Sequence, residues 1–302
     1  MTKTLQSAYW AAEKFEAELA QELGADLISA HGRLHLSSAP PRELVWAHNT
    51  WLKPELIEIQ SIGDAAKKLR ERRGFGWILN PLEQVRRSVL IEEQLGRKIK
   101  PKPLKFLEPL TKTHGEFSLL EQNLMIASPE TTSRVPFGDA VFEQTKEAPS
   151  RAYLKLWEIF TLEGFAPSKG QKCMDLGACP GGWTWVLANL GAHVTSVDKA
   201  DLDPAVLAMP HVHQLKKDAF KLKPTDIGKL DWLFSDVICE PRRLLELVHE
   251  WLESGLCENF VCTIKFKGKT DFEVLKDFLK IEGSHARHLF ANKHEVTWWL
   301  KR

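Results

Sequence analysis

The stretch DLGACPGGW, Asp175–Trp183, decides how the second half of the chain is interpreted. It stands between a short apolar run, KCMDL, and a segment of helical periodicity that begins at Trp183. Three glycines flank a proline there, so the backbone can approach another molecule closely while the turn keeps one shape. The stretch therefore predicts a turn from a strand into a helix, with a bound molecule near the backbone of the turn.

The residues after this turn alternate between strand-like and helix-like segments. The strand candidates of the second half are KCMDL, HVTSVD, VHQLKKD, DWLFSDV, NFVCTIKF and EVTWWLK. Helical patterns lie between them, at Trp183–Leu190, Arg242–Glu253 and Asp271–Lys280. This alternation predicts an α/β fold with a mainly parallel sheet covered by helices on both faces. Ligands of such sheets bind at the carboxyl ends of the strands.

The first half has a different pattern, and we place the domain boundary at residues 144 and 145, within the polar linker EQTKEAPSR, Glu143–Arg151. Residues 1–144 predict a smaller α+β domain. Its expected elements are a helix from Ser7 to Leu23, a hairpin in LISAHGRLHLSS, strands at Leu56–Gln60 and in SLLEQNLMIASP, and a helix over Pro81–Leu95.

The composition limits the class of protein. The chain has 302 residues, of which 43% are hydrophobic and 27% charged, as in an ordinary globular protein with a core. No apolar run approaches the ~20 residues that span a bilayer, and the first residues lack a signal-peptide pattern. Five cysteines without a C-x-x-C pair predict reduced thiols rather than a disulfide framework or a zinc site. We therefore expect a cytoplasmic protein with no membrane partner and no metal.

An acidic residue follows the glycine turn at a distance that indicates a nucleoside cofactor. Asp198 ends the next predicted strand, HVTSVD, where a carboxylate can accept hydrogen bonds from both hydroxyls of a ribose. Dinucleotide-binding folds share this arrangement, but their glycine spacing is G-x-G-x-x-G. Gly177, Gly181 and Gly182 have the spacing G-x-x-x-G-G. A nicotinamide-dependent dehydrogenase is therefore disfavoured.

The combined stretch DLGACPGGWTW…SVD resembles the S-adenosylmethionine loop of the FtsJ-like RNA ribose 2'-O-methyltransferases. Five more stretches are similar, in order and spacing, to the branch of that family that acts on bacterial large-subunit ribosomal RNA: APSRAYLKL, KKDAFKLKPT, FSDVICEP, TIKFKGK and HEVTWWLKR. The resemblance implies a Rossmann-like S-adenosylmethionine-dependent methyltransferase sheet over residues 145–302. NLMIASPETTSRVPFGDAVF is similar to part of that branch's N-terminal region, which implies a ferredoxin-like and THUMP-like RNA-binding domain over residues 1–144, shorter here than in that branch.

The family uses a Lys-Asp-Lys-Glu tetrad, and the resemblance places it at Lys155, Asp236, Lys265 and Glu295. A lysine can act as a base only when it is neutral, and burial or a second cation lowers its pKa while carboxylates raise it. We expect Lys265 to accept or orient the proton of the ribose 2'-hydroxyl. Lys155 would lower the pKa of Lys265, and the two acids would fix its position.

The resemblance also implies the residues that hold S-adenosyl-L-methionine. Asp198 would bind the ribose, Asp218 the adenine edge, and Asp236 would face both the cofactor and the catalytic centre. Ala152 stands where that branch has a serine, so a hydroxyl contact is missing there. The expected loop contacts are Asp175, Gly177, Cys179, Pro180, Gly181, Gly182 and Trp183.

A basic segment precedes the linker. Residues 61–115 carry six acids against thirteen basic residues: Lys67, Lys68, Arg70, Arg72, Arg73, Arg86, Arg87, Arg97, Lys98, Lys100, Lys102, Lys105 and Lys112. Such an excess of positive charge is typical either of a solvated helix face or of a surface that contacts phosphates.

The resemblance implies methylation of an RNA ribose, with a cytidine of 23S rRNA as the expected acceptor and a monomer as the expected state. Two alternatives remain open. The acceptor could belong to another RNA, such as tRNA or a different rRNA site, or the chain could be a non-catalytic RNA-binding protein that has kept the fold. The complete tetrad disfavours the second alternative.

Overall fold

The computed structural model describes residues 3–96, 99, 101–111 and 113–302. Its contacts divide the chain into two compact units. One comprises the described residues of Met1–Leu104 with Pro109–Val141, and the other Lys105–Glu108 with Phe142–Arg302. The assignment of an RNA-binding domain and a methyltransferase domain on either side of residues 144 and 145 stays a prediction. None of the helices that the structure describes has the length and apolarity of a membrane span.

In its described residues, the first unit contains two four-stranded sheets and three α-helices. Its strands are β1 (Ser7–Ala11), β2 (Leu27–His31), β3 (Leu34–Ser37), β4 (Ala47–Trp51), β5 (Glu55–Glu58), β6 (Trp77–Leu79), β7 (Gly115–Glu121) and β8 (Leu124–Ser128). Its helices are α1 (Glu16–Leu23), α2 (Ile62–Arg72) and α3 (Val85–Gln94). The sheet orders are β2-β3-β1-β4 and β5-β8-β7-β6. β6 and β7 pair in parallel, and the other pairs of these strands are antiparallel.

The predicted hairpin in LISAHGRLHLSS is confirmed as β2 and β3, and the predicted strand at Leu56–Gln60 corresponds to β5. Mixed strands and helices agree with the α+β expectation, whereas the ferredoxin-like and THUMP-like assignments stay predictions.

Three element predictions for this unit are wrong in extent or kind. The helix expected from Ser7 begins only at Glu16, because the first residues form the central strand β1, buried on both faces. The stretch SLLEQNLMIASP contains parts of two antiparallel strands, β7 and β8, rather than one. Helix α3 begins only at Val85, because the Asn80 N–H bonds the Phe117 carbonyl of β7 and so continues the pairing of β6 beyond Leu79.

The second unit is built on a seven-stranded sheet. Its strands are β9 (Lys172–Leu176), β10 (His193–Asp198), β11 (Val212–Lys216), β12 (Trp232–Ser235), β13 (Asn259–Lys265), β14 (Ser284–Arg287) and β15 (Glu295–Leu300). The order is β11-β10-β9-β12-β13-β15-β14. The first five strands in this order, from β11 to β13, run parallel to one another. β15 is antiparallel to β13 and to β14. The Rossmann-like sheet is therefore confirmed.

Six helices accompany this sheet: α4 (Tyr153–Glu163), α5 (Gly182–Asn189), α6 (Pro204–Leu207), α7 (Pro224–Ile227), α8 (Pro241–Ser254) and α9 (Phe272–Leu279). The three predicted helices correspond to α5, α8 and α9. Helix α8 begins at a proline, which needs no N–H partner there, and ends at Gly255 in the left-handed conformation.

The strand order positions a crevice at one point of the sheet. The chain goes from β9 outward to β10 and β11, then returns to the other side of β9 as β12. Loops at the carboxyl ends of β9 and β12 therefore leave in opposite directions, and ligands of open α/β sheets bind at such a reversal. The glycine turn follows β9 and Asp236 follows β12, so both predicted halves of the site lie at this point.

Candidate active site

The glycine turn after β9 approaches the loop after β12 closely. Gly177 has φ +75°, and a Cβ there would lie 2.8 Å from the Cα of Val237. Gly181 has φ +114° and immediately precedes the first residue of α5. Residue 177 must be glycine both for its positive φ and for the lack of space for a Cβ. The sequence alone indicated only that a turn lies here.

Acids from the neighbouring strands border this turn. Asp198, at the end of β10, accepts the N–H of Cys179 and the N–H of Ala200, each at 3.0 Å. Asp218 follows β11, and its carboxylate pairs with Lys199 at 2.9 Å. The hydrogen bond from Lys199 lowers the pKa of Asp218, so that carboxylate is charged and able to accept hydrogen bonds. The structure thus brings Asp198 and the predicted loop together, and Asp218 lies just after the neighbouring strand β11.

Asp175 and Trp183 are placed in the interior. Asp175 is 1% exposed, and its Oδ2 accepts the hydroxyl of Thr184, which also bonds Ser196. Its Oδ1 is buried and has no hydrogen-bond partner among the described residues. The indole of Trp183 is buried, and its N–H donates to the Ala152 carbonyl at 2.9 Å.

Ser150 is a residue that the sequence reasoning passed over. Its Oγ lies 2.5 Å from the position that a Cβ on Gly182 would take, at the start of α5. That oxygen is buried and lacks a partner within the part of the chain that the structure describes. Ala152 lies against the same glycine, at 3.4 Å. The hydroxyl of Ser150 therefore lies beside the start of α5, two residues before Ala152, where the family branch has a serine.

The four predicted catalytic residues form one cluster. Lys155, on α4, donates to Asp236 at 2.9 Å and lies 2.7 Å from Glu295 Oε1. Lys265, the last residue of β13, lies 3.0 Å from the same Asp236 Oδ1 and donates to the Asp236 carbonyl at 2.6 Å. Lys265 is paired with Glu295 across β13 and β15, so the sheet register itself brings them together.

The electrostatics distinguish the two lysines. Burial alone would lower the pKa of Lys155, but the charges of Asp236 and Glu295 outweigh it and raise that pKa above its usual value. Lys155 is therefore a permanent cation at neutral pH. The side chain of Lys265 is 20% exposed, against 9% for Lys155, so Lys265 is the lysine that another molecule can reach.

The basic segment is less uniform than its sequence suggests. Arg97, Lys98, Lys100 and Lys112 lie outside the described residues. Arg72 pairs with Glu55 at 2.8 Å. Arg73 donates to the carbonyls of Phe75, Thr113 and Pro129, so it holds the fold of the first unit together. Lys67, Arg86, Lys102 and Lys105 are exposed to solvent and are the better candidates for phosphate contacts.

The sheet order, the glycine turn and the charged cluster together define a Rossmann-like methyltransferase. The sequence profile of the FtsJ-like methyltransferase family matches residues 148–287, which include Lys155, Asp236 and Lys265. The chain belongs to the FtsJ-like methyltransferase family, and the resemblance seen in the sequence is confirmed.

Curated relatives carry the name Ribosomal RNA large subunit methyltransferase M. The protein of Xanthomonas oryzae pv. oryzae is 33% identical over 249 residues, which are 78% of this chain and 68% of that protein. The protein of Pseudoalteromonas atlantica is 34% identical over 189 residues, or 56% of this chain and 52% of its own length. The match to several of these relatives thus spans about half of their length.

Among solved structures, TrmN from Thermus thermophilus aligns with 99% of this chain and 100% of its own, at 16% identity and a TM-score of 0.37. A likeness at that level carries no functional argument.

The burial of Asp175 predicts a pH-dependent stability. Burial raises the pKa of Asp175 to about 7, so the folded protein resists ionisation of this carboxyl while the unfolded chain does not. For an acid with a raised pKa, stability is present below the unfolded pKa and is lost as pH rises towards the folded one. We expect Asp175→Asn to be more stable than the wild type at about pH 8 and to lose part of the pH dependence between about 4 and 7.

Urea unfolding of both proteins across this pH range measures the difference in free energy of unfolding. Parallel curves for the two proteins would show that Asp175 ionises normally in the fold.

Proposed function

We propose that this protein is an S-adenosylmethionine-dependent RNA 2'-O-ribose methyltransferase whose acceptor is a cytidine of 23S rRNA. The observation that carries the proposal is the position of the Lys155–Asp236–Lys265–Glu295 cluster beside the glycine turn, at the reversal point of one sheet. The names of the curated relatives support a ribosomal RNA substrate. Such a substrate fits action in the cytoplasm, and we expect the protein to act as a monomer.

The residues around the glycine turn fit S-adenosyl-L-methionine. Two buried oxygens without a partner among the described residues, Asp175 Oδ1 and Ser150 Oγ, lie around the turn. We assign the ribose hydroxyls to Asp198 and the adenine edge to Asp218. These residues lie at the carboxyl ends of β10 and β11, where ligands of such sheets bind. Cys179, Pro180, Gly181, Gly182 and the backbone of Trp183 would line the remaining side. When bound, the cofactor supplies an electrophilic methyl group on a positively charged sulfur.

The cluster divides the catalytic work between its two lysines. Lys155 keeps its charge because two carboxylates hold it. We assign the proton of the 2'-hydroxyl to Lys265, because its side chain is the more exposed of the two lysines and lies at the end of β13. Asp236 orients Lys265 through both its carboxylate and its carbonyl. Much of the remaining acceleration would come from holding the hydroxyl oxygen in line with the methyl group.

The first unit would bind RNA through its exposed basic residues. Lys67 has a side chain that is 75% exposed, and its ion pair with Glu71 at 3.9 Å is too long and too solvated to neutralise it. Arg86 and Lys102 are exposed as well. Cations of this kind contact phosphates without reading sequence, so they supply affinity while the site selects the ribose.

The cofactor assignment predicts a selective loss of binding in Asp198→Ala. Without the carboxylate, a ribose loses its acceptor and the Cys179 N–H loses a partner, so the Kd for S-adenosylmethionine should rise by about tenfold or more. Asp201→Ala is the matched control, because Asp201 lies on the same loop but is exposed and pairs with Lys216. Calorimetry measures both. Binding of NADH in place of S-adenosylmethionine would overturn the assignment.

The catalytic assignment predicts that Lys265→Ala loses turnover and keeps its cofactor. General-base catalysis contributes about 10²–10⁴-fold, so kcat should fall by that factor at saturating RNA. Lys265→Arg should recover little, since a guanidinium does not give up its proton. Lys276→Ala, at an exposed lysine of α9, is the control. Transfer of a tritiated methyl group measures the rate, and a near wild-type rate for Lys265→Ala would refute the role.

The RNA assignment predicts a salt-dependent effect of charge reversal in the first unit. Replacing Lys67, Arg86 and Lys102 by Glu should weaken RNA binding and reduce the slope of log Kd against log salt by about 0.7–0.9 for each phosphate that is no longer neutralised. Arg72 and Arg73 are left unchanged because they hold Glu55 and backbone carbonyls. The same reversal at Lys223, Lys276 and Lys280, all exposed in the second unit, is the control. Equal effects of both triple variants would make the segment an ordinary solvated face.

A further inference from the structure

Helix α4 carries a second buried charge one turn after Lys155. Glu158 is 2% exposed and, at a spacing of three residues, lies on the same side of the helix as Lys155. A buried carboxylate is costly unless hydrogen bonds hold it. Glu158 Oε1 accepts the N–H of Phe290 at 2.7 Å, and its Oε2 accepts the N–H of Ala291 at 3.0 Å. Both oxygens are thus bonded to the backbone of one loop, 132 residues further along the chain.

That loop, residues 288–294, connects β14 with β15 and leads directly into Glu295. It is a compact turn, in which the Asn292 N–H bonds the Leu289 carbonyl at 3.0 Å. The Asn292 side chain donates to the Glu295 carbonyl at 3.2 Å and lies 3.3 Å from Thr297 Oγ1. The position of the loop is therefore coupled to the first residues of β15, and Glu295 is the first of these.

We infer that Glu158 is a positioning residue of the methyl-transfer site, which anchors the 288–294 loop on α4 and so keeps the carboxylate of Glu295 against Lys155. The inference rests on the proposed function for its catalytic meaning, while the anchoring concerns the fold alone. Lys155 and Glu158 project from one helix, and their partners Glu295 and Phe290 belong to one loop and strand. Two contacts at separate points fix both the distance and the orientation of the loop relative to the helix, which one ion pair cannot do.

The same helix provides a matched control. Glu163 pairs with Arg287 at 2.8 Å, but both side chains are partly exposed, at 26% and 34%. Arg287 is the last residue of β14 and precedes the loop. Glu163→Gln therefore removes an acid that links α4 to β14 without touching the backbone of residues 288–294.

Amide hydrogen exchange tests the anchoring independently of activity. A Gln at position 158 keeps one acceptor oxygen, but its NH₂ group cannot accept the second N–H. Exchange of the Phe290 and Ala291 amides should accelerate about tenfold in Glu158→Gln, as expected when a hydrogen bond to a charged group is removed. Glu163→Gln should leave these amides as in the wild type. Unchanged exchange in Glu158→Gln, or equal acceleration in both variants, would overturn the inference.

A double-mutant cycle tests the route through Glu295. At temperatures well below unfolding, Glu158→Gln should lower kcat by about 10- to 100-fold with little change in the Kd for S-adenosylmethionine. If Glu158 acts through Glu295, the Glu158→Gln/Glu295→Gln double variant should be no slower than Glu295→Gln alone. Additive losses, or a wild-type kcat in a Glu158→Gln protein of lower melting temperature, would overturn the inference. A wild type that methylates no RNA would refute the proposed function instead, and the exchange experiment would still decide on the anchoring.

Discussion

The carboxylate of Asp236 is the group on which the candidate site depends. One of its oxygens bonds both Lys155 and Lys265, at 2.9 and 3.0 Å, and so holds two like charges close together. Glu295 adds a second carboxylate at Lys155, which makes two cations and two anions in a largely buried cluster. A balanced cluster of this kind tolerates burial, whereas removal of either acid would leave an uncompensated charge in a medium of low dielectric constant. The cluster is therefore a single unit, built from a helix and three neighbouring strands.

The position of Asp236 is linked to the glycine turn through the packing of two loops. Because Gly177 has no side chain, the loop after β9 comes within contact of Val237, the residue that follows Asp236. Any side chain at residue 177 would displace one loop or the other. The loop that we assign to the cofactor and the residues that we assign to the acceptor thus meet between β9 and β12. The strand order creates that boundary, and Gly177 allows the two loops to close upon it.

The sequence predicted those parts of the fold that local patterns encode. The apolar strands and the glycine turn were found because alternation, periodicity and turn chemistry are properties of neighbouring residues. Strand β14 was missed because Ser284–Arg287 is a half-buried edge strand with no apolar pattern. The prediction of a helix from Ser7 was wrong because β1 is buried on both faces. The apolar residues of such a strand can also fit the spacing of a helix. The sequence indicated a single basic surface over residues 61–115. In the structure Arg73 instead donates to backbone carbonyls, one of them that of Pro129, which is distant in sequence. Glu158 and Ser150 gave no signal, because only folding brings Glu158 to the backbone of Phe290 and Ala291 and Ser150 to Gly182.

The division of work between the lysines is a further property that sequence could not supply. Lys155 and Lys265 were interchangeable as lysines near acids, and only the resemblance gave them different roles. In the structure Lys155 lies between two carboxylates and is buried, while Lys265 has one carboxylate, one carbonyl and access to solvent. A lysine held by two anions is a structural cation, because both anions would lose a cationic partner if it lost its proton. The more exposed lysine is then the one that can exchange a proton with a substrate. In the mechanism that we propose, helix α4 supplies the fixed charge and β13 the lysine that meets the substrate, so the position of α4 beside the strand ends would be part of the chemistry.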